Sequence, residues 1–310
     1  MIPLRNIKLK CVGRLSGHPW EQLDLAAHCK GNLLFTPCGG APVIHDLHVM
    51  TLADAAVFAA AKAYSWKFST WYRWLYHRIG KKAQCILTVS DFSKRELQKW
   101  CSIPLEKITV THAGCEHILR TDPDRSILDK YGLNERPFVL AVGSMNPNKN
   151  LQGIAEAIHR LRSRQLTFAL AGSVNSSVFG QHAPLPSNVV RLGFVTDAQL
   201  RALYEKALCF VFPSFYEGFG LPPLEAMACG CPVIVSRTAS LPEVCGDAAD
   251  YCNPNDPADI AQKIQDITED AGKRRQFVEK GALRACLFTW ERAARGAWNV
   301  LKRAIAASRC

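Results

Sequence analysis

The sequence predicts an α/β protein with two domains, each built around a parallel sheet, and three observations support this prediction. The 310 residues are enough for two domains of ordinary size. Short apolar segments alternate with longer amphipathic ones, and strands that alternate with helices imply parallel sheets. Hydrophobic residues make up 48% of the chain, which permits a sizeable core and argues against extensive disorder.

The first domain is predicted to span residues 1–121. Its apolar segments predict five short buried strands, at residues 7–13, 32–37, 42–47, 85–90 and 108–111. Ser90 is of a type that caps helices, and it precedes a predicted helix from Asp91 to Cys101. Residues 122–137 contain several Asp, Pro and Arg residues and predict a connection between the domains.

The second domain is predicted to span residues 138–290, and a final helix follows at 291–310. Its first strand ends near Ser144, and a loop leads from there to a helix that starts at Leu151. Lys149 lies at the start of this helix, where the macrodipole disfavours a cation. A bound anion would reverse that penalty, so the position of Lys149 indicates an anion site.

The most informative stretch is 208–230, which predicts a strand, a glycine-bearing loop and a helix that starts at two prolines. Gly218 and Gly220 let the backbone approach a ligand, and the start of a helix favours phosphate. Glu217 and Glu225, eight residues apart, flank this site. Carboxylates repel phosphate but accept hydrogen bonds from hydroxyl groups, so a nucleotide sugar fits both features.

The span from Glu217 to Glu225 resembles the E-x7-E motif of retaining glycosyltransferases of family 4, which have the GT-B fold. The resemblance continues through residues 230–236 and 241–249 and covers about residues 45–290. It implies two Rossmann-like domains that face each other across a cleft, with the last helix crossing back to the first domain. It also implies retaining transfer of a hexose, mannose-like or rhamnose-like, from a nucleotide sugar to a glycan or lipid-linked glycan in polysaccharide biosynthesis.

The resemblance also implies roles for individual residues. Lys149 binds the diphosphate, Glu217 contacts and orients the sugar, Glu225 holds the ribose hydroxyls, and His45 lies between donor sugar and acceptor. We therefore expect His45, Glu217 and Lys149 to be catalytic. For His45 the alternative is a histidine at a strand end that is bonded to a loop carbonyl. The expected donor-binding residues are Ser144, Lys149, Gly193, Phe194, Val195, Glu217, Gly218, Phe219, Gly220, Leu221 and Glu225.

One departure from the family concerns the start of the chain, where no strand with a glycine-rich loop is found. We expect one or two βα units to be missing there, at roughly 30 residues per unit. This departure supports an alternative function, a non-catalytic subunit that binds nucleotides or glycans. An NAD-dependent oxidoreductase is excluded because its G-x-G-x-x-G motif is absent.

The charge is uneven along the chain, whose net charge is +11. Residues 62–99 hold nine Lys or Arg and two Asp or Glu, a balance of +7. Lys67, Trp74, Arg78 and Lys81 share one face of a predicted helix, which is either a solvated face or a surface for anionic lipids. Nucleic acid has only this basic segment in its favour, so we expect none as a partner.

The cysteines and the termini bear on the compartment. The 13 cysteines form no C-x-x-C pair, which suits reduced thiols in a cytosolic protein. No signal peptide and no membrane-spanning run are apparent, so we expect a cytoplasmic protein. If the basic face of the predicted helix binds anionic lipids, we expect the protein at the periphery of the inner face of the membrane. No Asp and His cluster suggests a metal site, and we expect neither a metal nor a cofactor besides the substrate.

Overall fold

The computed structural model describes residues 6–38, 40–143, 146–161, 166–172 and 188–307. The strands are β1 Leu34–Thr36, β2 His48–Thr51, β3 Cys85–Thr88, β4 Ile108–Val110, β5 Phe138–Val142, β6 Thr167–Ala171, β7 Val189–Gly193, β8 Cys209–Phe212, β9 Val233–Ser236 and β10 Ala249–Cys252. The α-helices are α1 Gly17–Pro19, α2 Ala26–His28, α3 Ala56–Ala59, α4 Trp66–Lys82, α5 Asp91–Cys101, α6 Ser126–Lys130, α7 Leu151–Arg160, α8 Asp197–Lys206, α9 Leu221–Ala228, α10 Leu241–Cys245, α11 Pro257–Glu269, α12 Ala271–Ala285 and α13 Trp290–Ala307.

Shorter helical turns complete the list of elements. A π-helical turn at Trp20–Leu25 joins α1 to α2. The 3-10 turns are Ala61–Ala63, Leu105–Lys107, Glu116–Arg120 and Pro147–Lys149.

The strands form two separate sheets, and every strand pair in both sheets is parallel. The first sheet has the order β1-β2-β3-β4, and the second has the order β10-β9-β8-β5-β6-β7. In the second sheet β5 lies between β8 and β6, so the chain reverses its direction of winding beside β5. Ligands of open α/β sheets bind outside the carboxyl ends of the strands at such a reversal, which locates the candidate site.

The second sheet is covered on both faces, which explains why its strands are almost continuously apolar. On one face α7 and α11 pack against it through buried residues such as Ile154, Ile158, Ile260 and Ile264. On the other face α8, α9 and α10 contribute Leu203, Leu224 and Val244 to a second apolar cluster. The predicted connection also contributes to that cluster, because α6 buries Ile127 and Leu128 there.

The helix α13 lies against the first sheet. Its Val300 and Ala304 are buried in one cluster with Val49 of β2 and Leu87 of β3. The last helix of the chain therefore contacts the first domain, although it follows the second domain in sequence. The predicted domain boundaries at residues 121 and 137 stay a prediction.

Two of the predicted strands are wrong. Residues 7–13 form no strand, and the strand predicted at 42–47 lies instead at His48–Thr51. Pro42 has no N–H to give to a sheet, and residues 42–45 form a turn in which the His45 amide donates to the Pro42 carbonyl at 3.4 Å. His48 is buried and its ring nitrogen bonds the Thr36 hydroxyl at 2.9 Å, which lets a polar residue start the strand.

Candidate active site

Three loops of the second domain meet at the carboxyl edge of its sheet. They follow β5, β7 and β8, whose last residues are Val142, Gly193 and Phe212. Because all three strands are parallel, their carboxyl ends lie at the same edge. The loops bring together most of the residues that the sequence predicted for the donor site.

The loop after β5 is held by asparagines, which fix the position of Lys149. The Asn146 side chain accepts from the Asn148 amide at 2.9 Å, and the Asn148 carbonyl accepts from the Phe215 amide at 2.8 Å. Asn150 is buried at a φ of 53°, and its amide group donates to the carbonyls of Pro213 and Pro254 at 3.1 and 2.7 Å. These bonds join the loop to the loops after β8 and β10.

Lys149 and Glu217 form an ion pair across these two loops. The Lys149 Nζ lies 2.7 Å from Glu217 Oε1, and the two side chains are 25% and 12% exposed. Lys149 also lies over the Phe212 ring at 4.9 Å from its centre. A charge-assisted bond of this kind is short and strong, and it places one positive and one negative group side by side at the edge of the sheet.

The loop after β8 is anchored from behind by Ser240. Its hydroxyl donates to the carbonyls of Glu217 at 2.9 Å and Phe219 at 2.8 Å. Gly220 adopts a φ of 103° and directly precedes α9, and no side chain caps this helix. Leu221 is the first residue of α9, and Pro222 and Pro223 after it carry no N–H. The amides at the start of α9 that remain available to an anion are therefore those of Gly220 and Leu221.

The first domain contacts this loop through two serines. The hydroxyls of Ser90 and Ser93 donate to the Gly218 carbonyl at 2.6 and 2.9 Å, and all three groups are buried. Ser90 also caps α5 by accepting from the Ser93 amide at 3.0 Å. One cap residue thus fixes both a helix of the first domain and the glycine loop of the second.

A second contact between the domains runs through Glu243 of α10. Its two carboxylate oxygens accept from the amides of Asp91 at 2.8 Å and Phe92 at 2.9 Å, at the start of α5. His112 lies 3.2 Å from the same carboxylate. Burial alone would raise the pKa of Glu243, but hydrogen bonds from His112 and from the two amides outweigh it and lower the pKa.

The placement of His45 at the cleft is wrong. His45 precedes β2 and therefore lies at the amino end of the strand, away from the edge where ligands bind. Its Nε2 bonds the Asn32 carbonyl at 2.9 Å, which is the alternative that the sequence left open. At the carboxyl end of β2 the chain instead carries Ala53 and Asp54.

Asp54 is a cleft carboxylate that the sequence analysis missed. A Cβ atom added to Gly218 would lie 2.6 Å from the Asp54 side chain, so the two residues are in close contact across the domains. Burial raises the pKa of Asp54, while the Ala56 amide and the charge of Lys149 act in the opposite direction. Asp54 follows β2 by three residues, so the correct bounds of this strand would have identified it as a residue at the carboxyl edge of the sheet.

Glu225 does not stand free in the cleft. It lies one turn into α9 and is 7% exposed. The His117 Nε2 lies 2.9 Å from Glu225 Oε1, a contact between the 3-10 turn at Glu116–Arg120 and α9. Burial raises the pKa of Glu225, and the charge and hydrogen bond of His117 lower it in part.

The expected base-binding loop follows β7. Gly193 adopts a φ of 68°, Phe194 is 88% exposed, and Val195 is half-buried. Phe219 is buried between His112 and Phe288 with ring centres at 6.1 and 5.7 Å, so it supports the loop from inside. Ser144 lies outside the described residues.

The arrangement can bind a charged and hydroxylated ligand. The amides at the start of α9 and Lys149 can attract phosphate, while the carboxylates of Glu217, Asp54 and Glu225 can accept hydrogen bonds from hydroxyls. In the part of the chain that the structure describes, no group of three His, Cys, Asp or Glu residues could hold a metal ion. Metal independence stays a prediction.

The two parallel-sheet α/β domains, which meet at a glycine loop, have the architecture of the GT-B class of glycosyltransferase. Residues 124–284 match the family of glycosyl transferases group 1, and residues 19–117 match glycosyltransferase family 4. The first match covers more than half of the 310 residues, so the chain belongs to the group 1 glycosyl transferases, and it is a hexosyltransferase.

Similar proteins include mannosyltransferases. The O-antigen chain mannosyltransferase B of Escherichia coli is 33% identical over 285 residues, which cover 88% of this chain and 75% of that protein. The serotype-specific mannosyltransferase WbdA of the same organism is 29% identical over 250 residues, which cover 74% of this chain and 30% of that protein. Sucrose-phosphate synthase from Thermosynechococcus elongatus has the same fold, with a TM-score of 0.71 at 24% identity over 84% of this chain and 68% of that one.

Among the helices in the described residues, none is both long and apolar enough to cross a membrane.

Proposed function

We propose that this chain transfers a mannosyl group from a nucleoside diphosphate mannose to a growing glycan or lipid-linked glycan, with retention at the anomeric carbon. The transfer would serve the synthesis of a polysaccharide of the O-antigen type. The similarity to O-antigen chain mannosyltransferase B over most of this chain supports the sugar and the pathway. The observation that carries the proposal is the pair of Lys149 and Glu217 at 2.7 Å beside the start of α9.

Lys149 and Glu217 have different roles in the proposed reaction. Negative charge develops on the diphosphate as the bond to the sugar breaks. Lys149 and the amides at the start of α9 stabilise that charge, and they do so from fixed positions because the asparagine bonds hold the loop. Glu217 accepts hydrogen bonds from the sugar hydroxyls and orients the ring. Donor binding replaces part of the contact between Lys149 and Glu217.

The first domain provides the acceptor side of the cleft. The chain after the carboxyl end of β2 faces the glycine loop, where it carries Asp54 against Gly218. Ala53 has no group that could bind a sugar or move a proton. The polar chemistry at this position therefore rests on Asp54, whose carboxylate can accept from an acceptor hydroxyl.

The experiment is a donor panel followed by turnover assays. GDP-mannose, UDP-glucose and dTDP-rhamnose are tested by thermal shift, and the hits are then incubated with mannose-terminated oligosaccharides. We expect GDP-mannose to stabilise the protein and to be consumed, and we expect NMR of the product to show the anomeric configuration of the donor. Stabilisation by none of the three donors, or inversion in the product, would contradict the proposal.

Variants test the residues that carry the mechanism. Lys149→Ala is expected to lower kcat/KM by about 10²–10³-fold, because it removes a fixed charge next to the leaving group. Lys206→Ala, an exposed lysine of the same domain, is the matched control. An equal effect of the two variants would remove Lys149 from the mechanism.

We also propose that α4 contacts an anionic membrane surface. Trp66 and Trp74 are 73% and 43% exposed, and Arg78 lies over the Trp74 ring at 5.9 Å. Lys67 lies over the Trp66 ring at 5.7 Å. Exposed tryptophans beside basic groups suit the boundary between headgroups and acyl chains. A lipid-linked acceptor would be presented at that boundary, and this would place the protein on the membrane periphery.

Vesicle binding tests the membrane proposal. Arg78→Glu combined with Lys81→Glu is expected to reduce sedimentation with vesicles that contain phosphatidylglycerol at low salt. Lys206→Glu combined with Arg275→Glu changes the charge equally on the second domain and is expected to leave binding unchanged. If both pairs reduce binding equally, only the net charge matters and the specific surface is refuted.

A further inference from the structure

Hydrogen bonds between three side chains, those of Trp290, His117 and Glu225, link α13 to α9. The indole Nε1 of Trp290, the first residue of α13, donates to His117 Nδ1 at 3.2 Å. The Nε2 of the same imidazole lies 2.9 Å from Glu225 Oε1. The backbone amide of Trp290 donates to the Glu116 carboxylate at 2.9 and 3.1 Å, which fixes the indole beside the turn that carries His117.

The geometry determines which ring nitrogen carries the proton. An indole N–H can only donate, so the Nδ1 of His117 must accept and carries no proton. The remaining proton of the imidazole is on Nε2, which donates to the Glu225 carboxylate. One oxygen of Glu225 is therefore occupied by His117, and the other is left to accept from a ligand.

We propose that His117 is a positioning residue for the donor, which holds the Glu225 carboxylate so that its second oxygen receives the ribose hydroxyls of the nucleotide. Trp290 fixes the orientation of the imidazole. The inference rests on the proposed function, because it assigns the ribose to Glu225. It adds a residue outside the E-x7-E motif and makes the start of α13 part of the donor site.

Burial makes the support of His117 necessary. Glu225 is 7% exposed, and burial raises its pKa. Little water reaches the carboxylate, so without His117 it would have no hydrogen-bond donor among the described residues to replace the water that it loses. A glutamate side chain has three rotatable bonds, and a donor on one oxygen selects one orientation. Holding that orientation before the ligand binds reduces the entropy lost on binding.

The test measures nucleotide affinity by calorimetry with two probes, GDP and 2′,3′-dideoxy-GDP, and with UDP and its dideoxy form in parallel. His117→Ala is expected to weaken GDP binding by roughly tenfold, the equivalent of one hydrogen bond to a charged group. His117→Gln keeps an N–H near the position of Nε2 and is expected to restore affinity to within about threefold. Lys206→Ala, which removes an exposed side chain at the end of α8, is the control and should bind as the wild type does.

The dideoxy probe distinguishes positioning from general damage to the fold. Without ribose hydroxyls the contact to Glu225 cannot form, so the penalty of His117→Ala is expected to fall below about twofold. The same tenfold loss with the dideoxy nucleotide, or tighter GDP binding by His117→Ala, would overturn the inference. If the wild type binds neither GDP nor UDP, the proposed function itself fails and this inference with it.

Discussion

Glu243 is expected to hold the two domains together, and Glu243→Gln tests this. The carboxylate accepts from the amides of Asp91 and Phe92 and contacts His112 from the other domain. An amide side chain keeps one acceptor oxygen, so one of the two backbone amides faces an NH₂ group. Leaving a partly buried donor unpaired costs about 1–3 kcal/mol. Loss of the negative charge at the start of α5 adds about 0.3–1 kcal/mol.

We therefore expect Glu243→Gln to lower the free energy of unfolding by about 2–3 kcal/mol at pH 7, from the two contributions above. Urea denaturation followed by tryptophan fluorescence measures this value. Hydrogen exchange of the Asp91 and Phe92 amides reports the same contact locally and should accelerate. Glu291→Gln is the control, because Glu291 is exposed and pairs with Arg295 on its own helix.

The pH dependence provides an independent check. The pKa of Glu243 is lowered in the folded protein, so the ionised carboxylate contributes stability at pH above its usual value of 4.5. That contribution is lost as the pH falls through the lower folded value. The difference between wild type and Glu243→Gln should accordingly shrink below pH 4.5. A difference under about 0.5 kcal/mol at pH 7, the range of ordinary surface substitutions, would refute the reasoning.

Three further predictions concern the cleft. Gly218→Ala places a Cβ 2.6 Å from the Asp54 side chain and should lower the free energy of unfolding, measured by urea denaturation, by about 1–3 kcal/mol. Unchanged stability would show that the domains can separate there at no cost. Asp54→Asn should raise the free energy of unfolding at pH 7, because burial raises the pKa of Asp54 above 3.8 and ionisation of the carboxyl therefore opposes folding. This gain in stability should vanish at lower pH, where the wild-type carboxyl is protonated. A lower free energy of unfolding at pH 7 would contradict the prediction. Turnover should survive EDTA, since in the proposed mechanism Lys149 and the amides at the start of α9 stabilise the leaving group. Activity that is lost and then restored by magnesium would show a required metal.

The sequence was sufficient for the fold class and for the local arrangement at the centre of the candidate donor site. Glu217, Gly218 and Gly220 follow one another in a single strand, loop and helix, so their spacing alone specifies how they sit together. Lys149 was found because a cation at a helix start needs an explanation. Both cases depend on local structure, which hydrophobic periodicity and helix-start signals report well.

The contacts between the domains were not predictable in this way. Glu243 and Asp91 are 152 residues apart, and Ser90 and Gly218 are 128 apart. Local sequence patterns contain no information about such pairs. His45 failed for another reason, because the apolar residues 42–44 have the composition of a strand although Ile44 is 69% exposed. The strand begins later, and Asp54 takes the place at its carboxyl end.

The carbonyl of Gly218 restricts how this enzyme can be recombined with its relatives. Its oxygen accepts hydrogen bonds from Ser90 and Ser93 of the first domain, so the glycine loop is matched to the start of α5. A chimaera that keeps this second half and takes the first from another glycosyltransferase needs a hydroxyl at both positions. It also needs two free backbone amides at the start of the helix that faces Glu243, because the Glu243 carboxylate accepts from both. Acceptor preference can then be exchanged by grafting the remainder of the first half.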